Sequence, residues 1–378
     1  MIDQDDIPPD LAGGILCIDL KVLQDNWRKV AGEAAPAECG ATVKGDAYGI
    51  GLEPVARALW QAGCRTFFTA LPLEGAEVRK LLPEATVYVL CGVLAGQADF
   101  YSENSLIPVL ATPEQVREWR ACCRASNARL ATALHLDTGI NRLGLDEKQA
   151  RALAADTATL EAFDLRLIIS HLACGDDPLN PMNEAQRQKF AALRALFPPA
   201  PASLANSPGA FLGEAFTFDL VRPGIALYGG NPFAARANPM SAVVHLYAPL
   251  LQVRELAKGE SVGYGATWTA SRPSRIGVIG VGYRDGYPRA LSSPATDGPA
   301  CTFIGGHYAP VIGRISMDLI TIDLTDVPEK HANPGQRVEL MGDNITIDDI
   351  ARWADTIPYE VITRLGSRYA RIYSSLDS

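Results

Sequence analysis

Up to Tyr228 the chain alternates short apolar runs with stretches of helical periodicity. The runs are ECGATV ending at Val43, TFFTA at Ala70, TVYVL at Leu90, LIPVL at Leu110, LATALHLD at Asp137, LRLIIS at Ser170, PASLA at Ala205 and GIALY at Tyr228. Each reads as a buried strand, which gives eight strand candidates. Between them lie helices with recognisable starts. Thr112-Pro113-Glu114-Gln115 reads as a capping box with proline at the first helical position. Pro54 opens a helix that stops on Gly63. In the leader, Asp19 caps a helix whose one face carries Leu20, Leu23, Trp27 and Val30. Helices between successive strands imply parallel strands joined by crossovers. Eight such units close a (β/α)8 barrel, with an open doubly wound sheet as the alternative.

After Tyr228 the pattern changes. GGNPFAARANPMSA reads as a linker. Beyond it come strand runs without intervening helices: VVHLYAPLLQVREL, SVGYGATWTA, SRIGVIGVGY, TFIG, APVIGRISMDLITIDL and RVELMG. A helix capped by Thr346 follows, and a last one starts at Pro358 and ends near Gly366. The expected fold class is therefore α/β, a (β/α)8 TIM barrel over residues 1–235 followed by a mainly-β domain over 236–378.

Composition narrows the function classes. The 378 residues suffice for about two domains. A 48% apolar and 20% charged composition is that of an ordinary globular protein. Net charge is −9 and no Lys/Arg-rich run stands out, which argues against nucleic acid and anionic membranes as partners. No run approaches the ~18 apolar residues of a membrane span. The acidic, polar start MIDQDDIPPD is unlike a signal peptide, so a cytoplasmic location is expected. The eight cysteines form no Cys-x-x-Cys pair and the five histidines no zinc-ligand spacing, so neither a disulfide framework nor a metal is expected.

In a barrel, chemistry sits at the C-terminal ends of the strands. Lys44 follows the first strand directly, in TVKGDAYGIG. Desolvation at a strand end lowers an amine's pKa, and a neutral amine is a nucleophile for carbonyl groups. A lone lysine there is more often merely solvated, so the far side of the barrel matters. Asn206-Ser207-Pro208-Gly209 follows the seventh strand, and Val221-Arg222-Pro223-Gly224-Ile225 stands at the start of the eighth. Those loops are the usual phosphate site of the fold. A phosphate site facing a strand-one lysine suits pyridoxal phosphate.

With these pieces in hand, the chain resembles the alanine racemases, pyridoxal-phosphate enzymes built of a barrel plus a β domain. The resemblance runs in order through TVKGDAYGIG, HLDTGINRLGL, ISHLAC, LANSPG, VRPGIALYG, SVGYGATW, GVGYRDGYPR, IGRISMDL and TIPYEVITRLGSR. It implies two-base racemisation of L- and D-alanine, supplying or consuming D-alanine for cell-wall precursors. It also implies a homodimer with shared active sites. Lys44 then holds the cofactor covalently and is one catalytic base. Tyr264, supplied by the partner, is the other. Tyr48, Ser207, Gly224, Ile225 and Tyr359 hold the phosphate. Arg222 faces the pyridine nitrogen, and His171 links Tyr264 to Arg222. Arg142 steadies the cofactor ring hydroxyl and the substrate carboxylate. Met317 lines the site from the partner, and Tyr283 with Tyr359 narrows the entrance to favour a methyl side chain. A guanidinium cannot give its proton to the pyridine nitrogen, and an unprotonated ring is a weaker electron sink, which favours return of the proton to Cα.

The chain departs from the family in three places. Many members carry a lysine, often carbamylated, seven residues before the equivalent of Arg142; here it is His135, so an anion, a water or another neighbour is expected to fill that role. Gly45 replaces a family alanine and is expected to loosen the turn after Lys44. Arg284 replaces a small residue and, with Arg289 and Arg314, adds positive charge near the substrate corridor or points to solvent. Competing readings are a broader small amino-acid racemase acting on serine, a D-amino-acid aldolase, a non-catalytic cofactor carrier and a cofactor-free barrel hydrolase. The β domain with Tyr264 and Met317 argues against the aldolase and the carrier. The hydrolase lacks paired carboxylates or metal ligands at the strand ends.

Overall fold

The computed structural model describes residues 7–292 and 298–374. They divide into two compact units. One comprises Leu23–Leu227 with Asn231–Met240, and the other the described residues of Met1–Val22, Tyr228–Gly230 and Ser241–Ser378.

The first unit is a barrel of parallel strands. Ala41–Thr42, Thr66–Thr69, Thr86–Val89, Ile107–Leu110, Leu130–His135, Phe163–Ile169 and Ala202–Ser203 pair in chain order. Leu220–Val221 then pairs in parallel with Glu38–Cys39. Asp219 N donates to Ala202 O at 3.0 Å, and Thr42 N donates to Pro223 O at 2.9 Å, so the eighth position joins the seventh strand to the first. The first strand breaks at Gly40, where a Cβ would lie 2.9 Å from the Phe68 ring. Phe68, Tyr88, Val109, Ala133, Leu167, Ile169 and Leu220 form a buried cluster, with Phe68 and Tyr88 stacked at 5.2 Å. Branched and aromatic residues from successive strands make this interior a packed core and leave the strand ends for chemistry.

Several local expectations hold. Asp19 Oδ1 accepts from Val22 N, and Leu20, Leu23, Trp27 and Val30 are buried. Gly63 ends its helix in the left-handed conformation. Thr112 caps the helix Pro113–Ala125 by accepting from Gln115 N. The second half of that capping box does not form, because Gln115 Oε1 accepts from Ala111 N and its Nε2 donates to Cys91 O.

One strand is corrected. Gly224–Tyr228 is a turn, and the eighth strand is the shorter Leu220–Val221. The apolar run GIALY reflects burial rather than extension, since Ile225, Ala226, Leu227 and Tyr228 are all fully buried. Arg222 and Gly224 therefore follow the last strand instead of starting it, which puts them at its C-terminal end.

In the second unit the long strand Val244–Leu256 pairs with Gly14–Ile18, Ser274–Ile279 and Arg337–Met341, all antiparallel. Gly14–Ile18 also pairs in parallel with Tyr369–Tyr373. The leader strand thus belongs to the β unit. Ser261–Val262 and Trp268–Thr269 form a separate hairpin, and Thr346 caps the helix Ile347–Trp353.

Candidate active site

Lys44 leaves the end of the first strand and enters an unusual turn. Gly45, Asp46, Ala47 and Tyr48 all take left-handed helical angles, with φ of 65°, 55°, 50° and 59°. For a residue with a Cβ this conformation costs roughly 1 kcal/mol or more. Gly45 is the one member for which it is nearly free. The glycine thus suits a defined turn, contrary to the loosening expected of it. Ala47 N donates to Val43 O, Gly51 N to Asp46 O, and Leu52 N to Asp46 Oδ1 at 2.7 Å. The turn brings Tyr48 inward, where it is buried, while Lys44 stays open to solvent.

The Lys44 amine is nevertheless closely surrounded. Desolvation pulls its pKa below the ordinary lysine value, and Arg142 pulls it the same way, while Cys91 and Glu74 pull it up.

Across the barrel, Ser207 is buried and its Oγ accepts from Gly224 N at 2.8 Å and Ala226 N at 3.3 Å. A Cβ on Gly224 would lie 2.0 Å from the Tyr48 hydroxyl. Tyr48, Ser207, Gly224 and the neighbouring Ile225 therefore meet at one place, where hydroxyls and backbone N–H groups converge. Such a nest takes an anion.

Arg222 is fully enclosed without a carboxylate. Nη1 donates to Ser203 O and Oγ, and Nη2 donates to Ser170 O at 2.6 Å and faces His171 Nδ1 at 3.5 Å. A guanidinium has five N–H donors, so only Nε–H is left without a protein partner. Burial pulls the guanidinium down to about 10, which leaves it charged at neutral pH. His171 sits beside it, with Nε2 3.4 Å from Asn206 Nδ2. Desolvation, Arg222 and Arg142 hold His171 well below the usual imidazole range, so it is neutral. Gln186, which sequence reasoning passed over, ties the loops together. Its Nε2 donates to His171 O and Thr138 Oγ1, and its Oε1 accepts from Ala173 N.

Arg142 lies in the loop after Leu130–His135. Asp137 Oδ1 shapes that loop by accepting from Gly139 N and Asn141 N. No carboxylate of the described residues pairs with Arg142. His135 is buried, and its Nε2 has no hydrogen-bond partner. Desolvation, then Arg222 and Arg142, pull it down to about 4, so it brings no charge at neutral pH.

The remaining predicted residues lie in the β unit. Tyr264 is 72% exposed at the tip of the Ser261–Thr269 hairpin, between Gly263 and Gly265, both at φ 74°. Tyr283, Met317 and Tyr359 are also exposed. Tyr283 N donates to Ser316 O and Arg284 N to Met317 O, and a Cβ on Gly282 would strike the Met317 and Ser316 carbonyls at 2.4 Å. Arg368 braces the same segment by a bidentate pair with buried Asp285 and a third bond to Asp318. Among the described residues there is no cluster of three metal-ligating side chains and no helix long and apolar enough to cross a membrane.

Comparison with known proteins matches this arrangement to one family. Residues 18–232 match the family model "Alanine racemase, N-terminal domain", and residues 243–373 match "Alanine racemase, C-terminal domain". The alanine racemase of Methylobacterium nodulans is 48% identical over 361 residues, covering 96% of each chain. That of Rhodospirillum rubrum is 46% identical over 369 residues, covering 97% of each. Among solved structures, alanine racemase from Bartonella henselae with covalently bound pyridoxal phosphate aligns with a TM-score of 0.91 at 38% identity, over 96% of this chain and 100% of that one. The biosynthetic alanine racemase of Pseudomonas aeruginosa aligns at 0.89 and 36% identity, with the same coverage.

Proposed function

The chain belongs to the alanine racemase family, and from that premise we propose that it interconverts L- and D-alanine with pyridoxal phosphate as cofactor, as a homodimer in the cytoplasm. The observation that carries the reading is one barrel end that holds three things together. They are an amine of lowered pKa, an anion nest, and a buried guanidinium with one N–H to give.

The residues fit the cofactor. Ser207, Gly224, Ile225 and Tyr48 would hold its phosphate; the N–H groups now facing Ser207 Oγ and the Tyr48 hydroxyl, which the missing Cβ of Gly224 lets come close, suit that end. Tyr359 would add a hydroxyl. Arg222 Nε would face the ring nitrogen, and Lys44 would carry the cofactor. The bound group supplies an electron sink that acidifies the substrate Cα–H.

The chain's own work is proton handling. Racemisation removes a proton from one face of Cα and returns one to the other, so a base is needed on each face. Lys44 serves one face, its amine already shifted toward the neutral form by burial. Tyr264 serves the other. It stands exposed on a hairpin tip, a placement suited to completing the site of a second copy. His171, neutral and beside Arg222, would link that guanidinium to Tyr264 as a positioning group. Arg142 meets the substrate carboxylate. Tyr283, Met317 and Tyr359 restrict the entrance, which favours a methyl side chain; no observation favours serine as the main substrate.

Reduction of the yellow protein with borohydride, followed by peptide mapping, tests the cofactor assignment. The label is expected on Lys44, and a colourless protein that cannot be reconstituted overturns the reading. Polarimetry with L-alanine, L-serine and L-lysine tests the substrate. Equal rates for the three would refute the size argument.

A further inference from the structure

We infer that Glu74 is a positioning residue for Lys44, clamping the left-handed turn that carries the lysine to the start of the neighbouring helix. The inference rests on the assignment of Lys44 as the cofactor lysine, and the geometry behind it is independent of that assignment.

Glu74 lies in the first turn of the helix Pro72–Leu81, after the second barrel strand. Its Oε2 accepts from Ala70 N at 2.8 Å and from Leu71 N at 3.1 Å. That is the work of an ordinary capping glutamate, and it needs only one oxygen. The other oxygen, Oε1, leaves the helix and accepts from Gly45 N at 2.7 Å. Gly45 is the residue directly after Lys44 and the first of the four left-handed residues. The second residue of the turn ties it to the next helix, with Leu52 N donating to Asp46 Oδ1. Three residues with a Cβ occupy a conformation that the free chain disfavours. Two carboxylates, Glu74 from the neighbouring helix and Asp46 from within the turn, supply charge-assisted hydrogen bonds that offset this cost.

The clamp also has an electrostatic side. Arg142, Cys91 and Glu74 act electrostatically on the Lys44 amine, and Glu74 is the carboxylate among them. It opposes desolvation and Arg142. Without it the amine would titrate lower and the turn would open more often.

The test uses the full chain, with Glu74→Gln, Glu74→Ala and a control, Thr346→Ala, which removes a helix cap in the other unit. Glutamine has a single acceptor oxygen, so it cannot serve both the helix start and Gly45. Hydrogen exchange of residues 44–51 in cofactor-stripped protein is expected to quicken roughly tenfold or more in both Glu74 variants, the loss of a charge-assisted bond. The control should leave it unchanged. The pH midpoint for labelling of Lys44 by an amine reagent should move down in the Glu74 variants only. In the loaded enzyme kcat should fall with KM little altered. Wild-type exchange and an unmoved labelling midpoint, with only a lower melting temperature, would reduce Glu74 to a helix cap and overturn the inference. Borohydride mapping to Lys44 is unaffected by either result, so failure here is separable from failure of the cofactor assignment.

Discussion

The Tyr48 hydroxyl sits so close to Gly224 that a single methyl there would overlap it, at 2.0 Å. Two segments far apart in sequence are thereby locked to each other: the turn after the first strand and the loop after the eighth. Tyr48 can reach that spot only because the residues before it wind left-handed. Gly224→Ala is accordingly expected to weaken cofactor retention roughly tenfold or more, in line with the cost of overpacking a tight site. Equilibrium dialysis against pyridoxal phosphate measures it. Tyr48→Phe leaves the space and removes only the hydroxyl, so its effect should be smaller. Wild-type retention by Gly224→Ala would show that the loop relaxes.

Arg222 has a structural duty that its chemistry does not reveal. Its four Nη protons meet Ser203 O, Ser203 Oγ, Ser170 O and His171 Nδ1. Ser203 O still accepts from Ser170 N, so Arg222→Met strips its donor chiefly from the buried Ser170 carbonyl, at about 1–3 kcal/mol. The variant should lose stability as well as activity, and urea midpoints should report the loss. An unchanged midpoint would mean that the Ser170 carbonyl finds another donor.

The buried histidines set an acid limit to stability. His135 is held at about 4 against an ordinary 6.5. Between those values the unfolded chain binds more protons than the folded one, so stability rises with pH across that window. The contribution is fully present above pH 6.5 and is lost as pH falls through about 4. The shift corresponds to about 3 kcal/mol. His171, depressed in the same direction, adds to the effect. His135→Gln should flatten the change in urea midpoint between neutral and mildly acid pH. A variant as acid-sensitive as wild type would locate the effect elsewhere.

Arg142 is a cation without a carboxylate partner among the described residues, beside a histidine that is neutral at working pH. The proposed reading therefore expects a small anion to steady it. Replacing gluconate by chloride at constant ionic strength should lower KM for alanine more than it changes kcat. Equal kinetics in the two salts would leave a water or a neighbouring side chain in that role.

Much of this site was legible because barrel chemistry gathers at strand ends. Lys44 follows a buried run directly, and Ser207 follows another. The eighth strand was harder to place, since GIALY is apolar for burial in a turn while the true strand, Leu220–Val221, is only two residues long. Gly14–Ile18 was also missed: its partner Tyr369–Tyr373 lies at the other end of the chain, and no local pattern announces such a pairing. Glu74 leaves no trace in the sequence pattern, because its second oxygen crosses to another loop. The left-handed turn left one sequence trace, the glycine at position 45, which was easily read as looseness.

The two-base proposal makes a demand on assembly that can be tested by mixing chains. If Lys44 works with Tyr264 of a second copy, Lys44→Ala and Tyr264→Phe are each inactive alone. Unfolded together and refolded, they form mixed dimers in which one site receives both intact residues and the other neither. Random pairing makes half the dimers mixed, so activity should return to about a quarter of wild type. If each chain supplied both bases to its own site, every site in the mixture would still lack one of them and no activity would return. The readout depends on the pairing of the two residues across the dimer, and loss of activity in either single variant cannot imitate it.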